Sequence, residues 1–157
     1  MKPATVKEIK EELKTIPHEE LIELSLRLAR FKKENKELLS YLLFEAQDED
    51  AFIRGVKEEI QDEFKQINKA SYYYIKKSIR KILRSIKKNI RYSKKKQTEV
   101  ELLLCFCSEM KNMKPSMRKS IILLNIYKRQ MHQMKKALST LHEDLQFDYN
   151  SEIGELE

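Results

Sequence analysis

The sequence predicts an all-α fold: a single-domain bundle of five or six mostly antiparallel helices, with stacked helix hairpins as a variant of the same class. Three observations carry this. The chain of 157 residues holds only two Gly and three Pro, too few for the tight turns that hairpins and sheets require. Lys, Glu and Leu dominate the composition, and all three are good helix formers. Apolar residues recur in steps of three and four along most of the chain, the spacing that lines one face of a helix. Short connections between such segments favour antiparallel neighbours. With 41% apolar and 36% charged residues, the composition excludes both a disordered chain and a membrane-embedded one.

Residues 5–14 read as a short helix with Val6, Ile9 and Leu13 on one face. Pro17 ends it and suits the first turn of the next. Residues 18–47 read as one long helix. Leu21, Leu24, Leu28, Phe31, Asn35, Leu38 and Leu42 form a heptad seam with one polar position, and Ile22, Ala29, Leu39 and Leu43 widen it to a face suited to a globular bundle. The acidic cluster from Asp48 to Asp50 caps a third helix reaching Asn68. Its stripe is Phe52, Ile53, Val56, Ile60, Phe64 and Ile67, and Glu58, Glu59, Asp62 and Glu63 make its other side acidic. The stripe loses register beyond residue 68, which predicts a break at 68–71, with Asn68 as a left-handed C-terminal residue.

The next helix is unlike the rest. Between Phe64 and Thr98 there are thirteen Lys or Arg and no Asp or Glu, so that in a chain of net charge +7 everything else sums to −6. Residues 71–92, about 33 Å long as one helix, carry Ile75, Ile79, Ile82, Leu83, Ile86 and Ile90 on one stripe and cations around the remainder. Ser71 suits the N-cap. Like charges four residues apart oppose this helix, so its isoleucine stripe must pack on something. Residues 97–113 are apolar almost all round and predict the central, most buried helix. Pro115 opens the last helix, where Leu124, Tyr127, Met131, Met134, Leu138, Leu141 and Leu145 keep the three-four alternation. Residues 148–157 are acidic and read as a frayed tail, which sets the domain at 1–147. The two seams in 18–47 and 115–145 are each about 45 Å long. They pair with each other or with their copies across a two-fold axis, Asn35 fixing the register in either case.

The runs TVKEIKEELKTIPHEELIELSLRLARFKKENKELLSYLLFEA, IKKSIRKIL and LSTLHEDLQFDY resemble an uncharacterised family of small all-helical bacterial proteins of the Bacteroidetes. The resemblance spans nearly the whole chain. Its strings contain no chemical motif, so it implies a helical fold and no activity, cofactor or site residue.

The N-terminal MKPATVKEIKEELK has no apolar core of a signal peptide. No apolar run approaches the ~20 residues that cross a bilayer. Two cysteines make no disulfide framework. The reading is a soluble, cytoplasmic, bacterial protein without a transmembrane segment.

Reactive residues give no constellation. Cys105 and Cys107 stand two apart, about 200° around a helix, so they do not share a metal, and Cys is among the most buried residue types. His18, His132 and His142 sit in neither HExxH nor ExxH patterns, and His142, Glu143 and Asp144 read as a polar helix face. Glycine-dependent nucleotide and nucleophile motifs are absent. The expectation is no enzyme, no cofactor and no metal. Met110, Met113, Met117, Met131 and Met134 read as adaptable core. Tyr72, Tyr73 and Tyr74 point about 100° apart in turn, so they form no single stacking platform, and one or two of them pack into the core.

The basic helix has three readings, in this order: a solvated face neutralised by the acidic helix before it, a phosphate-binding surface for DNA or RNA, and a helix on anionic lipid. The functional expectation is a non-enzymatic interaction module with a protein partner or a second copy of itself as a homodimer. The alternative is a nucleic-acid-binding module using the face of residues 76–96. The residues for either are Lys77, Arg80, Lys81, Arg84, Lys88, Arg91, Lys94, Lys95 and Lys96.

Overall fold

Eight α-helices and no strand form in the structure, a computed structural model describing residues 1–157. The all-α expectation holds. The count of five or six does not, because both long seams are interrupted. The chain divides into two compact units, 1–44 and 45–157, where the sequence suggests a boundary only at 147/148.

The first unit opens with α1, Val6–Thr15. A capping box starts it: the Thr5 hydroxyl accepts from the Glu8 amide at 3.3 Å, and the Glu8 carboxylate accepts from the Thr5 amide at 2.7 Å. Pro17 takes the N-cap of α2, His18–Phe31. The predicted helix over 18–47 stops there, because Lys32 is extended (φ −141°, ψ 147°). α3, Lys33–Ser40, then packs on α2. Asn35 has a job the heptad reading missed. Its side-chain amide donates to the Leu28 carbonyl at 2.8 Å, satisfying one of the acceptors stranded at the end of α2. A π turn, Tyr41–Glu45, follows. No residue of α1, α2 or α3 is buried. With α2 only 14 residues long and the later seam also cut, to 18, neither seam runs unbroken for the expected ~45 Å.

The second unit contains α4 (Glu49–Lys65), α5 (Tyr72–Ser93), α6 (Lys96–Asn112), α7 (Ile121–Leu138) and α8 (Glu143–Leu156). Asp48 caps α4, its carboxylate accepting from the Ala51 amide at 3.1 Å. α4 ends at Lys65, and Asn68 is not left-handed. Its side chain instead accepts from the Ala70 amide at 3.0 Å, closing a short turn. Ser71 occupies the N-cap of α5 in extended conformation, without a side-chain capping bond.

α6 packs against α4, α5, α7 and α8, which makes it the central helix expected. Val100, Leu102, Leu103, Phe106, Cys107 and Met110 are all fully buried. Phe106 meets Phe64 of α4 edge-on, with ring centroids 5.8 Å apart. Ile75, Ile79, Ile82 and Ile86 bury the stripe of α5, and Ile90 and Leu83 at its edges are only half-buried.

α5 and α6 join at Lys94, the one non-glycine residue with positive φ (58°). Its amide donates to the Ile90 carbonyl at 2.9 Å. Glu49, at the start of α4, braces this joint. Its carboxylate accepts from the hydroxyls of Ser93 and of Thr98 (2.6 Å for Thr98) and pairs with Lys95 at 3.4 Å.

The seam predicted to run from Pro115 through Leu145 is cut twice. A single 3₁₀ turn, Met117–Lys119, precedes α7, whose N-cap Ser120 accepts from the Leu123 amide. α7 ends at Leu138, and His142 caps α8 by accepting from the Asp144 amide at 3.2 Å. His142 therefore starts a helix and does not lie on a helix face. The tail expected to fray is α8 itself. Tyr149, Ile153 and Leu156 are spaced four and three apart and are buried, on a helix that packs against α6. The acidic residues between them mask that stripe in the composition. No helix is long and apolar enough to cross a membrane.

Candidate functional site

α5 and α7 both pack on α6, and between them lies a groove of about 1100 Å³ with Glu99 of α6 in its lining. The rotation of α5 is fixed by Ile75, Ile79, Ile82 and Ile86, which point into the core. Residues one step around the helix therefore face the groove. Lys76, Lys77 and Arg80 line it in the first half of α5, and Arg84, Lys87, Lys88 and Arg91 in the second. Arg129 adds a cation from the α7 wall. The apolar part of the lining comes from Leu83, Ile90 and Ile126, all half-buried.

Glu99 is the one carboxylate among these lining residues, and it is already engaged. One oxygen accepts from the Gln133 amide at 2.8 Å, and the other from Lys96 at 2.9 Å. Gln133 in turn accepts from Lys87. Burial pushes the Glu99 carboxyl up, but the bonds from Gln133 and Lys96 and the charges of Lys96 and Lys87 outweigh it, so the group ends below the ordinary glutamate value. Desolvation lowers Lys87, against the pull of Glu99. Beside this network Gln130 is buried, with 6% exposure, and its Oε1 has no hydrogen-bond partner.

The residues singled out in the sequence divide into two groups. Lys77, Arg80, Arg84, Lys88 and Arg91 come together along the groove. Lys81 is exposed but outside its lining. Lys94, Lys95 and Lys96 form the α5–α6 joint, where Lys94 supplies the left-handed turn, Lys95 pairs with Glu49 and Lys96 pairs with Glu99. Sequence reasoning missed Arg129, Gln130, Gln133 and Glu99. A signal existed for part of this set, since Ile126, Gln130 and Gln133 are four and three apart on α7, but nothing in the chain says which helix that face meets.

At the N-terminal end of the groove, Tyr73 and Tyr74 are exposed at 61% and 44%. Their rings meet edge to face at 5.3 Å, and Lys76 lies 5.6 Å over Tyr73. Tyr72 is only half-buried, and its hydroxyl donates to the Ser116 carbonyl at 3.0 Å, not to solvent. The expected packing of one or two tyrosines into the core is thus reduced to one partial case.

Elsewhere the chemistry is quiet. Burial pushes the Cys107 thiol up to about 12 and the Cys105 thiol, also facing Glu109, up to about 11. Both are thiols at neutral pH, unlike the lowered thiolates of reactive cysteines. No group of three or more His, Cys, Asp or Glu converges on a metal-sized site. A smaller hollow of about 450 Å³ beside Tyr127 also has cations in its lining. Two of these are taken up by the end of α8: Lys111 donates to the Glu155 carbonyl, and Lys135 pairs with Glu157.

No family model, no curated protein and no solved structure matches this chain.

Proposed function

We propose that this chain is a non-enzymatic interaction module that binds an acidic macromolecule along the α5–α7 groove. One observation carries the reading: eight Lys and Arg side chains line one groove with a single, already neutralised carboxylate. Like charges gathered this closely repel each other, and a polyanion relieves that repulsion while releasing counterions. A phosphate backbone and a carboxylate-rich protein surface both meet the charge requirement.

Heparin retention tests the reading. The protein is expected to bind a heparin column at about 50 mM salt and to elute as salt rises. The triple variant Arg80→Glu, Arg84→Glu, Arg129→Glu reverses one pair of charges on the α5 wall and one charge on the α7 wall. It should elute much earlier with unchanged far-UV circular dichroism. Failure of the native protein to bind at low salt, or equal retention of the triple variant, would remove the groove as a polyanion site.

A further inference from the structure

The groove is not lined by charge alone. Leu83 and Ile90 on one wall and Ile126 on the other are half-buried within it, and the alkyl stems of its lysines and arginines extend that apolar surface. An occupant that fits both parts has an apolar side for the floor and anionic groups for the two rims. Two kinds of polymer offer this: a single nucleic-acid strand with its bases turned inward, or a helix with one apolar and one acidic face.

The lining separates them. Base-binding grooves stack successive bases on aromatic rings. Here the one aromatic side chain in the lining is Tyr73, at one end, and the other apolar lining residues, Leu83, Ile90 and Ile126, are aliphatic. Leu and Ile between two helical walls instead suit the interdigitating side chains of a third helix. The dimensions agree. The α5 wall runs from Tyr73 to Arg91, about 27 Å at 1.5 Å per residue, and the α7 wall from Ile126 to Gln133, about 10 Å. The groove thus holds two turns of a helix between both walls and about three more along α5. Its ~1100 Å³ volume lies at or above the upper end of small-ligand pockets, about 300–1,000 Å³.

We infer that the occupant is an acidic amphipathic α-helix of a protein partner, its apolar face on Leu83, Ile90 and Ile126 and its carboxylates on Arg80, Arg84 and Arg129. This rests on the groove being a polyanion site, as proposed above.

The test uses the full chain and four fluorescent probes. The first is a peptide of about 18 residues with Leu at i, i+3, i+4 and i+7 positions and Glu on the other face. The second is the same composition with Leu and Glu permuted to destroy the apolar face. The third is a single-stranded oligothymidine of matching charge. The amphipathic peptide is expected to bind at least about tenfold more tightly than either of the others, and to lose that advantage in Leu83→Glu and Ile126→Ser. In case those variants fail to fold, a fourth probe with each Leu replaced by Ser removes the same contact from the ligand's side and should bind like the permuted peptide. If the permuted peptide or the oligothymidine binds as tightly as the amphipathic one, or if heparin is retained and no peptide binds, the helix inference is overturned and the polyanion reading stands. If heparin and all probes fail, both fall together.

Discussion

The two units of this chain use the same apolar periodicity to opposite effect. In α5, Ile75, Ile79, Ile82 and Ile86 are 0–2% exposed. In α2, Leu24, Leu28 and Phe31 have the same spacing and are 37%, 56% and 76% exposed. The difference lies in the number of neighbours. α6 gives the second unit a helix with four packing partners, so every stripe around it is covered. The first unit has short helices and no residue of α1, α2 or α3 reaching burial. Periodicity therefore reports which face of a helix is apolar. It does not report whether anything stands against that face.

The sharpest way to break this comparison is a matched pair of truncations. Phe106→Ala in α6 empties a fully enclosed site next to Phe64 and should cost about 3–5 kcal/mol. Phe31→Ala at the end of α2 removes a side chain that is already largely in water and should stay within about 0.5 kcal/mol. Urea denaturation of both variants reads the difference as separate midpoints. Equal losses would mean that Phe31 is covered in solution.

Native-state hydrogen exchange extends the test to whole helices. Amides of α6 should exchange only through global unfolding, and amides of α1–α3 through local openings orders of magnitude more frequent. Uniform protection across both units would overturn the contrast.

What the sequence made legible follows from the same distinction. The central helix was readable because residues 97–113 are apolar on all sides, a pattern that demands burial wherever the helix sits. The basic wall of the groove was readable because charge is a property of one segment. The opposite wall was not, because Arg129, Gln130 and Gln133 become part of the groove lining only when α6 sets α7 across from α5. Breaks inside periodic segments were also hidden. Lys32 is extended in mid-seam with no Gly or Pro near it, and the Asn35–Leu28 bond that stabilises that break looks, in sequence, like a polar heptad position.

Polar joints should differ between the units in the same direction but by less. In the second unit, Glu49→Ala strands the Thr98 hydroxyl, whose residue is 0% exposed, and should cost about 1–3 kcal/mol. In the first, Glu8→Ala opens an exposed capping box, and the freed Thr5 amide simply turns to water. A smaller loss is expected there than for Glu49→Ala. Thermal or urea midpoints of the two variants check the order.

The smallest expected effect concerns Glu99 and appears only as a function of pH. The groups facing its carboxylate are Lys96 on its own helix, Lys87 on α5 and Gln133 on α7. Desolvation raises its pKa, these partners lower it, and the net position is below the ordinary value of 4.5. A carboxyl with a depressed folded-state pKa adds stability that is fully present above the unfolded value. That stability is lost as pH falls through the folded value, because the unfolded chain then binds the proton more readily. Glu99→Gln keeps one of the two acceptor oxygens that Gln133 and Lys96 donate to and carries no titrating proton. The stability gap between native protein and variant should therefore be constant from pH 7 down to about pH 5 and should narrow below it. Other carboxylates titrate over the same range, but they are common to both proteins and cancel in the difference. A gap that stays constant down to about pH 3 would show that Glu99 is not held ionised by Lys96, Lys87 and Gln133. The groove would then contain a carboxyl free to compete with an acidic ligand for its cations.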